Sequence, residues 1–202
     1  MGRPRLHDER TERQLLRAAE ALLAAEGAEG LSVRRLAEAA GASPRAIYSL
    51  FGSKDGLVRA LFREAFHALS EDLDALPVTG DPARDLVEAG VTGFRGWALS
   101  HPELFRLVFE GGGPDVQPAP ADSQVGAAAF GRLLVRVRRC ADAGLIAEAD
   151  APTLGVAFHA MCEGLASVEL RSRLPLWNER TPAEVWRESL GALVRGFASP
   201  VP

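Results

Sequence analysis

Cysteine is scarce in this sequence: two residues in 202, Cys140 and Cys162, too far apart to form a CxxC pair. The four histidines, His7, His67, His101 and His159, are scattered along the chain. Neither a disulfide framework nor a zinc site built on closely spaced ligands is expected. Long apolar runs are missing as well. The N-terminus is Arg-rich and polar, without the apolar core of a signal peptide, and no later stretch holds about 18 uncharged apolar residues, the length a spanning helix needs. The expectation is a soluble, cytoplasmic chain with no membrane partner. Catalytic constellations are also absent. Gly111-Gly112-Gly113 is followed by proline where a phosphate loop needs Lys-Ser/Thr, and no nucleophile with its base and no paired-carboxylate site stands out. The chain is not expected to be an enzyme or to carry a cofactor.

Positive charge is short overall, since the net charge is −4, which on its face argues against a polyanionic partner. Its distribution argues the other way. Between Leu31 and Lys54 stand Arg34, Arg35, Arg45 and Lys54 against one acid, Glu38, and Gly2-Arg3-Pro4-Arg5 adds two more arginines at the N-terminus. Such an arm can enter a minor groove or simply fray.

What is present is a helical pattern. With 47% hydrophobic residues the chain can bury a full core, apolar residues recur at three and four spacing, and no sustained alternation marks a strand. Thr11-Glu12-Arg13-Gln14 has the form of a capping box opening a helix over about 11–25, with Leu15, Ala19, Leu22 and Leu23 on one face. Ser32 caps a short helix with Val33, Leu36, Ala37 and Ala40 inward, stopped by Gly41. Ser43-Pro44 opens a third, which ends at Gly52, and Ser53 caps a fourth that ends before Pro77. Further helices are expected over about 81–100, 101–110, 123–143, 150–172 and 181–198, with a loop at 111–122 and a second capping box at Thr181-Pro182-Ala183-Glu184. The fold class is therefore all-α, about nine helices: an N-terminal three-helix helix-turn-helix unit (1–65) and a larger helical body (66–202).

A helix, a short glycine-centred turn and a second helix opening with Ser-Pro is the sequence form of a helix-turn-helix, whose second helix lies in the major groove of double-stranded DNA. Its exposed face is expected to be Pro44, Arg45, Ala46, Tyr48 and Ser49, with Ile47, Leu50 and Phe51 inward. Arg45 is placed for paired hydrogen bonds to guanine O6 and N7, and Pro44 and Ala46 suit a thymine methyl. The only tyrosine, Tyr48, and the only lysine, Lys54, fall within seven residues of each other. A lysine in the first turn of a helix opposes the helix dipole, so its place there asks for an anion such as a DNA phosphate.

The run Leu31-Ser32-Val33-Arg34-Arg35-Leu36-Ala37-Glu38-Ala39-Ala40-Gly41-Ala42-Ser43, followed by Ile47-Tyr48-Ser49-Leu50-Phe51-Gly52-Ser53-Lys54-Asp55-Gly56-Leu57, resembles the TetR family of regulators over about residues 10–65. The resemblance implies that Ser32 and Lys54 hold phosphates, that Arg34 approaches the backbone or a base, and that Pro44, Arg45, Ala46 and Tyr48 form the groove face. With Ser43 and Ser49 these make the expected DNA-contact set. Gly56 departs from the family's usual acidic residue and is expected to loosen the start of helix 4.

In TetR-like proteins the C-terminal body forms a ligand pocket and a dimer interface. Phe158 to Ser167 resembles a Trp-x-x-x-His-Gly segment of one subfamily, with His159 and Glu163 where Trp and His would be. Phe94, Trp97, Phe105, Val108, Phe109, Phe130, Phe158, Met161 and Trp177 are the expected pocket lining for a small apolar effector, although aromatics at helical spacing also make ordinary core. His159 and Glu163, four apart, share a helix face as a hydrogen-bonded pair or, less simply, a metal or ligand contact. Cys140 follows Arg136, Arg138 and Arg139, which favour a thiolate, while burial opposes it. The apolar faces of the last two long helices suit a four-helix bundle with a second copy. The implied function is a homodimeric repressor released from a palindromic operator by an effector. An activator of the same fold, or a helical interaction module without DNA binding, is the alternative.

Overall fold

The computed structural model describes residues 5–111, 116, 119–174 and 179–198. Among them there is no strand, only an isolated bridge between Ile146 and Ala198. The described residues form nine helical runs: α1 (Arg5–Gly30), α2 (Val33–Ala40), α3 (Pro44–Phe51), α4 (Lys54–Asp74), α5 (82–100), α6 (Pro102–Phe109), α7 (Pro120–Asp142), α8 (Ala151–Leu170) and α9 (Pro182–Gly196).

Two departures from the sequence pattern concern helix starts. Thr11 is not an N-cap, because α1 already begins at Arg5. Residues 5–10 contain neither glycine nor proline, so nothing stops the helix from continuing upstream of the capping-box motif. At its other end α1 breaks at Gly27, whose φ of 69° no helix accommodates. Similarly α7 begins at Pro120 and not at Ser123. Asp122 supplies the reason: its carboxylate accepts the Ala119 N–H at 2.8 Å and the Arg63 guanidinium at 2.7 Å, which anchors the first turn. Arg3, in the N-terminal arm, lies outside the described residues.

The expected helix over 81–100 is continuous but not uniform. Pro82–Glu88 and Arg95–Ser100 are α-helical, and Ala89–Phe94 between them is a π-turn. A side chain at Gly90 would put its Cβ 2.3 Å from Leu190 Cδ1 and 3.1 Å from Phe158 Cζ. The widened turn thus presents bare backbone to α8 and α9, a closeness that apolar periodicity does not encode.

By its internal contacts the chain divides into two compact units: residues 1–66 with 101–125, and residues 67–100 with 126–202. In the first, Leu15, Leu16, Ala19 and Leu23 of α1 are buried with Leu36 of α2, Ile47 and Phe51 of α3, and Leu57, Val58 and Leu61 of α4. α6, which the sequence division assigns to the body, packs against α1 in this unit. In the second, α5, α8 and α9 pack on one another around Leu86, Trp97, Leu154, Phe158, Trp186 and Leu190. The capping box at the start of α9 is formed, with the Thr181 N–H donating to Glu184 Oε2 at 2.8 Å.

Candidate functional site

The α2–α3 unit is built by its caps. Ser32 Oγ accepts the Arg35 N–H at 3.3 Å and Ser43 Oγ accepts the Ala46 N–H at 3.2 Å, so both helices begin at the residues that the sequence marks. Gly41 takes φ 62° and its N–H is bonded back to the Ala37 and Glu38 carbonyls, which turns the chain sharply between the helices. A serine hydroxyl acting as acceptor in a cap still has its proton to donate, so Ser32 and Ser43 can cap a helix and bond an external phosphate at once.

Two residues, Ile47 and Phe51, anchor α3 in the core, and the opposite face is left open. Pro44, Arg45, Tyr48 and Ser49 are exposed and Ala46 is half-buried. Tyr48 is 54% exposed, an unusual position for a large aromatic ring with no task in packing.

The basic residues here fall into two pairs of different kind. Arg34 Nε donates to Glu38 Oε1 at 3.1 Å with both side chains largely in solvent, 88% and 64% exposed, and Arg35 is ion-paired with Glu26. Arg45 and Lys54 have no carboxylate partner among the described residues. Exposed pairs such as Arg34–Glu38 contribute little, so the arginine can exchange its carboxylate for a phosphate at small cost. The pairing with Glu26 depends on packing between α1 and α2, which local spacing in the sequence does not reveal.

Lys54 is the first residue of α4, set by Ser53, whose Oγ accepts the Gly56 N–H at 3.0 Å. The start of α4 is not loosened by Gly56. A Cβ at this position would lie 1.8 Å from the Phe51 carbonyl oxygen. Glycine therefore lets the end of α3 fold back onto the first turn of α4, which fixes Lys54 close to the reading helix.

The residues of the expected pocket separate into two groups. Phe94, Trp97, Phe130, Phe158 and Met161 belong to the second unit; Phe105, Val108 and Phe109 belong to the first; Trp177 lies outside the described residues. Phe94, Trp97, Phe105 and Phe158 are buried, whereas Val108, Phe109, Phe130 and Met161 are half-buried. In the second unit Phe94 and Phe130 both meet the imidazole of His159 edge-on, with ring centroids 6.0 Å and 5.6 Å away, and Phe94 also contacts Trp97 at 6.0 Å. His159 Nε2 lies 2.7 Å from Glu163 Oε1. Burial among these rings holds the imidazole below its ordinary pKa, against the opposing pull of the Glu163 charge. Among the described residues no group of three His, Cys, Asp or Glu is gathered to hold a metal ion. In the first unit Phe109 packs against Phe105 at 5.4 Å and meets Phe66 edge-on at 6.1 Å.

Neither cysteine is activated. Burial pushes the Cys140 thiol up to about 11, outweighing the nearby Arg139 charge, and burial raises Cys162 as well. No described helix is long and apolar enough to cross a membrane.

Comparison with known proteins agrees with this geometry. Residues 15–61 match the family described as bacterial regulatory proteins, tetR family, and residues 87–193 match the tetracyclin repressor-like C-terminal domain. The HTH-type transcriptional regulator Rv1816 of Mycobacterium tuberculosis is 29% identical over 130 residues, 63% of this chain, and the match spans 55% of that regulator's length. A solved structure of a protein of unknown function from Rhodococcus sp. RHA1 is similar over 94% of this chain and 96% of its own, at 25% identity and a TM-score of 0.77. The TetR family transcriptional regulator PfmR from Thermus thermophilus shares the fold over 92% of this chain and 99% of its own, at 23% identity and a TM-score of 0.68. With a reading helix exposed on one face and both of its halves matched, the chain belongs to the TetR family of transcriptional regulators.

Proposed function

We propose that the chain acts as a homodimeric repressor, reading a palindromic operator with α3 and releasing it when a small apolar effector occupies the body. The observation that carries the DNA reading is the exposed face of α3, where Arg45 and Tyr48 face solvent while Ile47 and Phe51 fix the helix from behind. Arg45 reads a guanine edge in the major groove. Pro44 and Ala46 meet thymine methyls, and Tyr48 and Ser49 extend the contact along the groove. Ser32, Ser43 and Lys54 hold phosphates, and Arg34 leaves Glu38 for the backbone.

A second copy is supported by α8, where Val156, 61% exposed, is followed at four-residue spacing by exposed Ala160 and Gly164. A homodimer that reads successive major grooves needs its two reading helices about 34–36 Å apart, one turn of DNA. The ring cluster of Phe94 and Phe130 about His159 supports an apolar effector with one polar group. α6 is suited to be the lever. His101 Nδ1 lies 2.7 Å from Glu20 Oε1 on α1, and Phe109 meets Phe66 on α4, so a shift of α6 would move both helices behind the reading unit. Release requires only that effector and DNA prefer different subunit arrangements, typically by about 1–3 kcal/mol.

Selection of binding sites from random duplexes tests the reading. The expected outcome is an enriched palindrome with half-sites one helical turn apart, bound with an affinity that falls steeply with salt. Absence of any enriched sequence, or an affinity indifferent to salt and to Arg45→Ala, would instead favour a helical interaction module. On the recovered operator, a compound that raises the melting temperature of the protein should lower DNA affinity. Stabilisation that leaves operator affinity unchanged counts against release by that compound, and tighter binding favours an activator of the same fold.

A further inference from the structure

The second unit carries a surface groove that the DNA reading leaves unused. It encloses about 540 Å³ between the start of α5 and the last turns of α9, a size within the range of small-molecule sites. Its apolar floor is formed by Val87 and Val194 beside Gly191, and three arginines, Arg84, Arg187 and Arg195, also line it.

Both carboxylates that line the groove are already committed. Asp81 caps α5, its Oδ1 accepting the Arg84 backbone N–H at 3.0 Å. Glu88 accepts from Arg187 Nε at 3.0 Å and from the Thr92 hydroxyl at 2.9 Å. Arg187 is neutralised by that pair. Arg84 and Arg195, one on each helix, are left without a carboxylate bonded to their side chains among the described residues, although the Arg84 charge also acts on Glu88. Gly191 makes room for the second: a Cβ there would lie 3.1 Å from Arg195 Nη1, so the guanidinium folds back along its own helix over the missing side chain.

The geometry points to a binding site for a small organic anion, with its carboxylate or phosphate bridging Arg84 and Arg195 and its apolar body lying on Val87 and Val194. A guanidinium presents its donors in a planar fork that matches such a group. An inorganic ion alone would leave the apolar floor uncovered, and a cation would meet a lining of three arginines against two carboxylates. The site is separate from the ring cluster about His159 and does not depend on DNA binding.

Calorimetric titration of the full chain with octanoate, octylammonium and inorganic phosphate tests this directly. Octanoate should bind saturably, with a dissociation constant on the order of 0.1–1 mM, and octylammonium should not. Phosphate should bind at least about tenfold more weakly than octanoate. Arg84→Ala combined with Arg195→Ala should weaken octanoate about tenfold or more, and Gly191→Leu, which fills the floor, should abolish binding with the melting temperature retained. Saturation by octylammonium as well as octanoate, or the absence of saturable octanoate binding up to about 10 mM, overturns the proposal. So does octanoate binding that survives the arginine substitutions and is lost in Phe130→Ala, which assigns the ligand to the ring cluster. A change of oligomeric state in the arginine variants also overturns it, since the groove is then an interface between copies.

Discussion

The two units differ in the charges that matter most to each. In the first, the charges that bear on function lie in solvent. Arg45 and Lys54 are exposed and without carboxylate partners among the described residues, and the Arg34–Glu38 pair is open to water on all sides. In the second, the carboxylates that tie the helices together are largely buried and fully engaged. Asp85 is 3% exposed, and it accepts the Thr79 N–H at 2.7 Å, the Thr79 hydroxyl at 2.6 Å and Arg139 Nη1 at 2.7 Å. Glu169 accepts a two-nitrogen contact from Arg95 at 2.8 and 2.9 Å and the Trp186 indole N–H at 2.8 Å. A solvated charge costs nothing to keep and remains available to an external polyanion. A buried one must be satisfied internally and then acts as a rivet. Substitutions should therefore separate, changing DNA affinity in one unit and stability in the other.

The largest expected effect is at a rivet. Asp85→Asn removes the charge that holds Arg139 and the loop before α5, and should cost about 3 kcal/mol in denaturant unfolding while leaving operator affinity intact below the melting transition. Burial alone would raise the Asp85 pKa, but the hydrogen bonds from Thr79 and Arg139 outweigh it and hold it at about 2, below the ordinary 3.8. A depressed carboxylate stabilises the fold above its unfolded pKa and loses that contribution as pH falls from about 4 towards 2. The acid limb of the stability profile should thus be flatter in Asp85→Asn. A loss below about 1 kcal/mol would show that the buried charges in this unit are not what holds it.

Next comes the reading face. Arg45→Ala should weaken the selected operator about 10- to 100-fold and relax the preference at one base position per half-site, without a change in melting temperature. If stability falls as far as affinity does, the contrast between solvated and riveted charge fails at its most exposed residue.

Gly56→Ala sharpens the contrast by setting two expectations against each other. Alanine is favoured over glycine in a helix by about 1 kcal/mol, so an unconstrained first turn would be stabilised. The Phe51 carbonyl occupies the place of the new methyl, and backbone must move to admit it. The expected result is a loss of about 1–2 kcal/mol in stability together with weaker operator binding, because α3 and Lys54 shift relative to each other. A stabilised variant with full affinity would rule out the close approach of Phe51 to Gly56.

Legibility in the sequence follows the same division. Ser32, Gly41, Ser43, Pro44 and Ser53 act on backbone within a few residues, so caps and turns can be read locally, and the helices between them fall where the motif puts them. Thr11 carries the same local signal and is no cap, because the motif says nothing of whether the preceding residues also favour a helix. The π-turn at Ala89–Phe94 and the groove at Gly191 depend on what α5 and α9 meet across the unit, and Asp85 gives no local signal because its partners Thr79 and Arg139 are 6 and 54 residues away. The apolar character of the aromatic residues is plain from the sequence, but spacing does not reveal that Phe105 and Phe109 pack in one unit while Phe94 and Phe130 gather about His159 in the other.

The smallest effect isolates the backbone clamp. Lys54 begins α4, where the helix dipole disfavours a cation, so removing it should not destabilise the free protein and should slightly stabilise it, by roughly 0.3–1 kcal/mol. Its contribution is realised only against a phosphate, and a phosphate contact carries no sequence information. Lys54→Ala should therefore weaken the operator and an unrelated duplex by the same factor and leave the selected sequence unchanged. The logarithmic salt slope should fall by about one unit for each subunit engaged. Arg45→Ala provides the reference, since it should alter sequence preference more than non-specific affinity. A Lys54→Ala variant that changes the selected sequence would make Lys54 a reader of bases, and the clamp on the backbone would have to be sought at Ser32, Arg34 and Ser43.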